Sequence, residues 1–411
     1  MINNNFSQLF ILLIGLSITT QANATFSWDG SIELEHRYFW QTDTSAQQTA
    51  SLKPLSSHQT SIKLEAEFYE DWNNGNDSLV FEPLIRLDSQ DNERSHADIR
   101  QLIWTHYGKN WEFSGGIGRV FWGVTESQHL VDIINQTDGV ENIDGEDKLG
   151  QPMLRYQYFS DLGNVDVYLL PYFRTRTFAG RNNRLNAGIT VNNDTEEFAS
   201  NREQRHLDYA ARYSNTLGSW SIGLSWFEGT SREPDIFRLF AEDTLTSTPF
   251  YPQINQLGAD IQVTTDAWLI KLEAIKRNFD DNFYQDYSAV TVGAEYTFVG
   301  VFNTAYDLGT LAEYSWDERN EMATGPFQND AFVGARLSLN DINNSEILLG
   351  ASLDLDDSTS RSLFLEASTR IASTFTANLE VRYFDSTNPN DLFFNLSNDR
   401  FLQIGIEYFF D

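Results

Sequence analysis

The segment FLQIGIEYFF, residues 401–410, places apolar residues at every second position. The apolar set is Leu402, Ile404, Ile406, Tyr408 and Phe410, and Gln403, Gly405 and Glu407 stand between them. Successive side chains of a β-strand point to opposite faces, so this segment predicts a strand with one apolar face and one polar face. About ten residues is also the length that a tilted strand needs to cross the hydrocarbon of a bilayer.

The same alternation repeats upstream through almost the whole chain. In 375–383, for example, Phe375, Leu379 and Val381 share one face, and Glu380 and Arg382 share the other. About eighteen such segments can be counted from residue 26 onwards, with sixteen as the alternative count. Segments 79–88 and 97–107 alternate less cleanly, and their facing is less well defined.

The connections between these segments alternate between short and long. Short ones lie at 108–110, 161–164, 215–218, 265–266 and 372–373, and long ones at 41–57, 121–151, 176–204, 228–256 and 385–398. Barrels of the bacterial outer membrane have short periplasmic turns and long extracellular loops. The sequence therefore predicts an all-β fold, a transmembrane antiparallel up-and-down β-barrel of about eighteen strands in the cell outer membrane of a Gram-negative bacterium.

The N-terminal residues have the features of a secretory signal peptide. Phe10 to Leu16 form a short apolar core, and Ala22-Asn23-Ala24 is a small-residue cleavage site. We expect residues 1–24 to be the signal peptide and residues 25–411 to form a single barrel domain.

Composition excludes several other classes of protein. There is no cysteine, which rules out disulfides and thiolate chemistry. The formal net charge of -31 argues against binding nucleic acid, because little is available to neutralise phosphates. The acidity is explained by solvated loops or, as the alternative, by divalent cations that bridge the protein to anionic lipopolysaccharide. Downstream of the first two dozen residues no apolar run is long enough for a spanning helix.

The C-terminal strand resembles the signature of outer-membrane proteins, in which alternating apolar residues end on an aromatic residue, here Phe410. That resemblance implies recognition by the barrel-assembly machinery, although this chain adds Asp411 after the aromatic residue.

A second resemblance lies in Gly118-Arg119-Val120-Phe121-Trp122-Gly123 and the Asp/Asn stretch that follows it, including Asp132 and Asp138. This segment resembles alginate-export-like barrels and their uncharacterised porin relatives. The resemblance implies that the loop after Trp122 folds into the lumen and narrows it. The alternative is an ordinary strand end with a glycine turn and an interfacial tryptophan.

Charged residues recur on the polar faces of the predicted strands. The candidates for lining the pore are Arg119, Arg174, Arg212, Arg336, Arg370, Arg382, Glu295, Glu313, Glu366 and Glu380. Opposed charges across a narrow lumen would select solutes by charge. Alternatively, they pair across strands and stiffen the wall.

Catalytic and metal-binding patterns are weak. The six histidines are scattered without a metal-ligand spacing, and no G-x-S-x-G occurs. We therefore expect no enzymatic activity, no catalytic residues, no metal site and no cofactor. Acidic loops at 192–197, 280–282 and 354–357 would suit Ca²⁺ or Mg²⁺, with solvated charged loops as the alternative.

These features predict a porin or channel that passes small hydrophilic solutes, since 16–18 strands leave an aqueous lumen. The alternative is an occluded barrel that acts as a surface receptor, an adhesin or a structural protein. Outer-membrane lipid and lipopolysaccharide are the other expected partners.

Overall fold

A computed structural model describes residues 25–41, 55–238, 246–389 and 391–411. The predicted signal peptide, residues 1–24, lies outside the described residues, as does most of the long connection at 41–57. Among the described residues, no helix is long and apolar enough to cross a bilayer.

Eighteen antiparallel strands form one sheet. They are β1 Thr25–Phe39, β2 His58–Trp72, β3 Asp77–Asp88, β4 Ala97–Tyr107, β5 Trp111–Gly118, β6 Gln151–Ser160, β7 Gly163–Leu170, β8 Asp208–Leu217, β9 Trp220–Thr230, β10 Gln253–Thr265, β11 Trp268–Phe279, β12 Tyr287–Phe298, β13 Asp307–Asp317, β14 Asn329–Ser338, β15 Glu346–Asp354, β16 Arg361–Ala372, β17 Phe375–Asp385 and β18 Phe401–Phe410. Each strand pairs with its sequence neighbours, and β1 also pairs with β18, from Gly30 opposite Phe410 to Phe39 opposite Phe401. The sheet is therefore a closed barrel, which confirms the predicted fold class and strand count.

The alternation in β18 has the predicted consequence. Ile404, Ile406 and Tyr408 are 49%, 44% and 40% exposed on the outer face, whereas Gly405 between them is buried. An outward apolar band that meets lipid and an inward polar face are what this period-two pattern favours in a membrane barrel.

Connections at one end of the barrel are mostly shorter than those at the other, as the sequence predicts, although 299–306 and 339–345 are at least as long as 280–286 and 355–360. One end has the turns 73–76, 108–110, 161–162, 218–219, 266–267, 299–306, 339–345 and 373–374. The other end has the connections 40–57, 89–96, 119–150, 171–207, 231–252, 280–286, 318–328, 355–360 and 386–400. The last of these contains a five-residue helix, α1 (Leu392–Leu396), which is capped by the Asp391 carboxylate and packs on Phe384.

Candidate functional site

The connection between β5 and β6, residues 119–150, folds inside the barrel and is called the lumen loop below. It contacts the wall at three separated places: Glu273 on β11, Glu313 on β13 and Arg86 on β3. These strands lie on different sides of the ring, so the lumen loop crosses the lumen instead of projecting from its mouth.

The first part of the lumen loop, residues 120–134, is an apolar stretch. Trp122, Val131, Ile133 and Ile134 are at most 4% exposed. They belong to one cluster with inward residues of β6 to β12, namely Met153, Tyr168, Leu170, Ala210, Phe227, Ile254, Ile275, Tyr287 and Ala289. Inward apolar residues are unusual in a water-filled barrel, and here the loop covers them.

The Glu273 carboxylate holds the apolar stretch to β11. Its Oε1 accepts hydrogen bonds from the backbone N–H groups of Val124 (2.6 Å) and Thr125 (3.0 Å) and from the Thr125 hydroxyl (2.8 Å). Its Oε2 accepts from the Val131 N–H at 3.2 Å. Hydrogen bonds to an ionised acceptor are stronger than neutral ones, so this one wall side chain fixes both ends of a loop turn.

Glu313 on β13 makes a second attachment of the same kind. It accepts from the backbone N–H groups of Glu126 (2.9 Å) and Ser127 (2.8 Å) and from the Ser127 hydroxyl (2.6 Å). The Glu126 carboxylate in turn lies 2.8 Å from Lys271 Nζ, and Lys271 also pairs with Glu295 on β12. The predicted lumen residues Glu295 and Glu313 are therefore brought together around the loop tip.

The second part of the lumen loop, residues 136–148, is an ionic stretch. The Glu141 carboxylate lies 2.8 Å from Arg86 and 2.7 Å from His96, and Arg94 donates to the backbone carbonyl of Glu141 at 3.1 Å. Asp138 pairs with Arg100 at 2.7 Å. Burial alone would raise the pKa of Glu141, but the hydrogen bond from His96 and the charges of Arg86 and Arg94 hold it well below its usual range.

The arginines that hold the ionic stretch are also tied to the wall. Arg86 and Arg94 both pair with Glu35 on β1, at 3.2 Å and 2.8 Å, and Arg94 also pairs with Asp88 at 3.0 Å. All four side chains are at most 5% exposed. A buried, mutually paired network of this kind fixes a geometry, because removal of one member leaves an uncompensated charge.

The structure brings three predicted residues together next to Asp144 of the ionic stretch. Arg382 pairs with Glu380 (2.5 Å), with Glu366 (2.7 Å) and with Asp144 of the lumen loop (3.1 Å). Arg382 also lies over the Phe364 ring, 4.9 Å from its centroid.

Other predicted residues lie apart from this group. Arg212 pairs with Asp260 at 2.7 Å. Arg336 and Arg370 are exposed on the inward face of β14 and β16, and neither forms an ion pair within the described residues. The predicted loop residue Asp132 is buried, with its carboxylate 3.3 Å from Lys148 Nζ, and burial raises its pKa.

Two predicted residues are not on strands. β5 ends at Gly118 and β7 at Leu170, so Arg119 and Arg174 lie in the connections that follow. Arg119 pairs with Glu82 at 2.5 Å, and Arg174 pairs with Asp98 at 2.7 Å. Their positions are therefore set by ion pairs to neighbouring strands and not by strand alternation.

Among the described residues, one group of three side chains could in principle hold a metal ion: His96, Asp138 and Glu141. Arg86 and Arg100 already neutralise the two carboxylates. The group is therefore better explained as part of the loop attachment. It does not coincide with the acidic loops for which divalent cations were considered.

Sequence reasoning missed Arg86, Arg94, Arg100 and Glu141. Arg86 and Arg100 lie on the two strands whose alternation is least clean, and a register shift between Glu82 and Pro83 explains why. A bulge changes the facing of the residues beyond it, so the period-two pattern fails locally.

Long connections at the same end of the barrel contact one another. The segments Thr190–Val191 and Glu197–Phe198 of connection 171–207 pair in parallel with Thr246–Ser247 and Phe250–Tyr251 of connection 231–252. The Asp91 carboxylate, between β3 and β4, accepts from the Gly180 N–H at 3.0 Å.

Comparisons with known proteins identify structures of similar fold. No protein-family profile matches the sequence, and no curated protein matches it either. Among solved structures, a BenF-like porin from Pseudomonas fluorescens Pf-5 has a TM-score of 0.55 at 9% identity, over 94% of this chain and 98% of that one.

Two further solved structures are more distant in shape. A loop-deletion mutant of OmpT, an outer membrane protein of Vibrio cholerae, gives a TM-score of 0.46 at 12% identity, over 94% of this chain and 99% of that one. A mutant of the Rhodobacter blastica porin gives 0.44 at 10% identity, over 94% and 100%. The closed ring of eighteen strands, with the likeness to the BenF-like porin, shows that this chain has the fold of a porin-like outer-membrane β-barrel.

Proposed function

We propose that this protein is an outer-membrane channel that passes small hydrophilic solutes, with a charge preference set by inward arginine and glutamate side chains. The observation that carries the proposal is the lumen loop. Eighteen strands enclose more space than their own side chains fill, and the loop that crosses this space leaves inward arginines of β14 and β16 exposed.

Charged inward side chains remain accessible beside the lumen loop. Arg336, Glu346 and Arg370 on β14 to β16 are exposed on the inward face, and Glu65 on β2 is 37% exposed. A polar path between the lumen loop and this wall would carry side chains of both signs. A low-dielectric wall focuses their field on a passing solute and gives selection by charge.

A role without catalysis is part of this proposal. Within the described part of the chain, His96, His106, His129 and His206 each contact a carboxylate and no serine or threonine hydroxyl. His36 contacts the Thr60 hydroxyl at 2.8 Å, but it lies on the outer face of β1 and its other ring nitrogen contacts His58. A histidine relay that activates a nucleophile needs a hydroxyl contact together with a group that orients the imidazole inside a site.

We propose that the barrel lies in the outer membrane, that its long connections meet lipopolysaccharide, and that β18, ending at Phe410, is the segment read by the barrel-assembly machinery.

The test is single-channel recording of the folded chain in a planar bilayer under a salt gradient. We expect stable open steps and a non-zero reversal potential, whose sign reports whether the arginine or glutamate side chains dominate. Replacing residues 124–147 by a short glycine-serine linker should raise the conductance, because it removes chain that crosses the lumen. The barrel itself should persist, since the strands that flank the loop remain paired.

The absence of channel current from a demonstrably folded barrel would contradict the proposed channel function. It would favour the second candidate, an occluded surface receptor. The observation that favours this alternative is the bridging of external connections. Asp91 also accepts from the Asn183 amide at 2.8 Å, and Arg184 pairs with Asp399 at 2.6 Å. Shortening connection 171–207 would then restore conductance only if these contacts seal the mouth.

A further inference from the structure

Two histidine side chains meet on the outer face of the barrel, at the end that carries the long connections. His36 lies near the end of β1 and His58 begins β2, and both are exposed. The neighbouring outward residues of the same two strands are apolar and exposed: Ile32, Leu34, Ile62 and Leu64. The next outward residue on β1 is Tyr38, and a tyrosine ring is typical of the boundary between hydrocarbon and water. The two imidazoles therefore lie where the apolar band ends, and we call them the histidine pair.

The register of β1 and β2 brings the histidine pair together. Thr60 lies opposite His36, and Tyr38 lies opposite His58, so the two histidines are diagonal neighbours on one face of the sheet. His36 Nε2 lies 3.2 Å from His58 Nδ1. The two residues are 22 positions apart in the sequence, so no local spacing predicts this contact.

Contacts on both sides orient the two rings. His36 Nδ1 lies 2.8 Å from Thr60 Oγ1. The backbone of His58 is held by Ser56, whose hydroxyl oxygen accepts from the His58 N–H at 3.1 Å and donates to the His58 carbonyl at 2.7 Å. The Tyr38 ring packs on the His58 ring, with 5.0 Å between their centroids. The rings are therefore preorganised, and each presents one nitrogen to the other.

The contact with Thr60 determines what lies between the facing nitrogens. When His36 Nδ1 donates to the Thr60 oxygen, His36 Nε2 carries no hydrogen and presents a lone pair to His58. A second lone pair on His58 Nδ1 would repel it, so a hydrogen or a cation has to lie between the two rings. Histidines that bind metals usually donate their other ring N–H to an oxygen in this way. Thr60 therefore has the position of a group that fixes a metal-binding tautomer.

The separation of the two nitrogens matches metal coordination. A Zn–N bond is about 2.0–2.1 Å long, which places two nitrogens of a tetrahedral site about 3.3 Å apart. The distance of 3.2 Å between His36 Nε2 and His58 Nδ1 is close to this value. Both side chains are exposed, so the remaining coordination positions are open to water. A cation can therefore replace the hydrogen between the rings with little movement of the strands.

The surroundings favour a transition metal over Ca²⁺ or Mg²⁺. Among the described residues, the other four histidines each contact a carboxylate: His96, His106, His129 and His206. In the same part of the chain, the ring nitrogens of the histidine pair contact a hydroxyl and each other instead. Calcium and magnesium require oxygen ligands, whereas imidazole nitrogen suits Zn²⁺, Cu²⁺ and Ni²⁺.

We propose that the histidine pair binds one divalent transition-metal cation, with His36 Nε2 and His58 Nδ1 as ligands, Thr60 as a positioning residue and water in the open positions. A cation held by both rings would link β1 to β2 at the end where connection 40–57 leaves the barrel. The inference goes beyond the proposed channel and does not depend on it, because both side chains face away from the lumen.

The first test is isothermal titration calorimetry of the full folded chain in detergent micelles, with Zn²⁺ as the probe. Excess Mg²⁺ and Ca²⁺ in the buffer compete for weak binding to carboxylates, which this chain of formal net charge -31 has in excess. We expect one saturable Zn²⁺ step that these cations do not displace. The absence of that step, or its loss as Mg²⁺ or Ca²⁺ increases, would overturn the proposal.

Substitution of each histidine locates the site. His36→Gln and His58→Gln should each remove the Zn²⁺ step, because a single imidazole holds the cation much more weakly than two. The matched control is His206→Gln, a histidine just ahead of β8 at the same end of the barrel, and it should leave Kd unchanged. Heat-modifiable gel mobility reports that each variant folds. Retention of the step in a folded His36→Gln or His58→Gln barrel, or its loss in the control, would overturn the proposal.

His96→Gln addresses the group that His96 forms with Asp138 and Glu141. It should leave the Zn²⁺ step unchanged, because Arg86 and Arg100 already neutralise the two carboxylates. Loss of the step in His96→Gln together with its retention in the variants of the histidine pair would assign the cation to that group and overturn the proposal.

Thr60 is tested by two substitutions that differ in the hydroxyl. Thr60→Val keeps the shape of the side chain and should raise Kd for Zn²⁺ about tenfold, since loss of a group that orients a ligating imidazole has an effect of that size. Thr60→Ser keeps the hydroxyl and should retain the affinity of the wild type. Equal Kd values in the two variants would overturn the positioning role.

Electron paramagnetic resonance of bound Cu²⁺ counts the nitrogen ligands directly. We expect coupling to two imidazole nitrogens in the wild type and to one in His58→Gln. Coupling to fewer than two imidazoles in the wild type would overturn the proposed ligand set.

Discussion

The two stretches of the lumen loop are held to the barrel by different physics. Residues 120–134 bury apolar side chains, and wall carboxylates accept hydrogen bonds from their backbone N–H groups. Residues 136–148 place their own carboxylates against wall arginines. In the first stretch the carboxylates that accept from the loop backbone belong to the barrel, and in the second stretch the paired charges belong to both partners.

The two attachments therefore depend on different side chains. Backbone donors are present in almost any sequence, so the attachment of the apolar stretch depends on Glu273 and Glu313 more than on the polar side chains of the loop. The ionic stretch depends on side chains of both partners, and buried ion pairs respond strongly to the loss of one member. The predictions below separate the two attachments by substitution and by pH.

The largest effect is expected from Glu273→Ala. It leaves the N–H groups of Val124, Thr125 and Val131 without their acceptor, which costs about 1–3 kcal/mol for each buried group. Hydrogen exchange followed by mass spectrometry should show lost protection across 122–134 with strand protection retained. Glu65→Ala, which removes an exposed inward carboxylate, is the matched control. Unchanged protection in Glu273→Ala would show that apolar packing alone holds the stretch.

A smaller effect is expected from Trp122→Ala. The side chain is 4% exposed and contacts Tyr168 edge to face, at 5.7 Å between ring centroids. Truncation of a buried aromatic residue costs about 3–5 kcal/mol. We expect faster exchange in the apolar stretch only. Phe121→Ala, at an exposed neighbouring ring, should leave exchange unchanged, and equal effects in the two variants would contradict the packing assigned to Trp122.

Glu141→Gln should act on the ionic stretch alone. It removes the negative charge that faces Arg86 and His96 but keeps the size of the side chain, at a cost of about 2–3 kcal/mol. Exchange should increase at 136–148 and not at 122–134. In the wild type, this attachment is present above the ordinary glutamate pKa and is lost only as pH falls through the lowered pKa of Glu141. Loss near pH 5 would contradict the assignment.

The smallest effect is a pH dependence of the apolar stretch that His129 carries. Burial would lower the pKa of His129, but the hydrogen bond and charge of Glu146, 3.2 Å away, raise it above its ordinary value. A raised imidazole pKa contributes stability below the unfolded pKa that is lost as pH rises through the folded pKa. After correction for intrinsic exchange, protection near residue 129 should therefore fall as pH rises through the raised pKa of His129. His129→Gln should abolish this change, and a persistent change would assign it to another group.

The sequence predicts the wall better than it predicts the interior. Strand number and facing depend on a period of two that each strand carries within its own residues, so β18 could be placed from residues 401–410 alone. The outward facing of His36 could have been found in the same way, since Leu34 and Tyr38, two positions before and after it, are outward and exposed.

The attachments of the lumen loop could not be predicted in that way. Glu313 and Ser127 are 186 residues apart in sequence and meet only because β13 and the loop tip are brought together by the closed ring. Arg94 lies in a short connection with no alternation to interpret. Contacts of this kind form only when the strands close into a ring, and no local sequence pattern encodes which residues the closed ring brings together.

The seam between β1 and β18 has a consequence for the order of assembly. Gly30 faces the Phe410 ring there, and a Cβ at Gly30 would lie 2.9 Å from that ring and 2.7 Å from the Glu65 carbonyl oxygen. Because β18 is synthesised after every other strand, the seam is the last pairing that becomes available. Until then, β1 and β17 present open edges that can pair with other chains. The pairing of β1 with β18 therefore removes both open edges at once and leaves no edge strand in the closed ring.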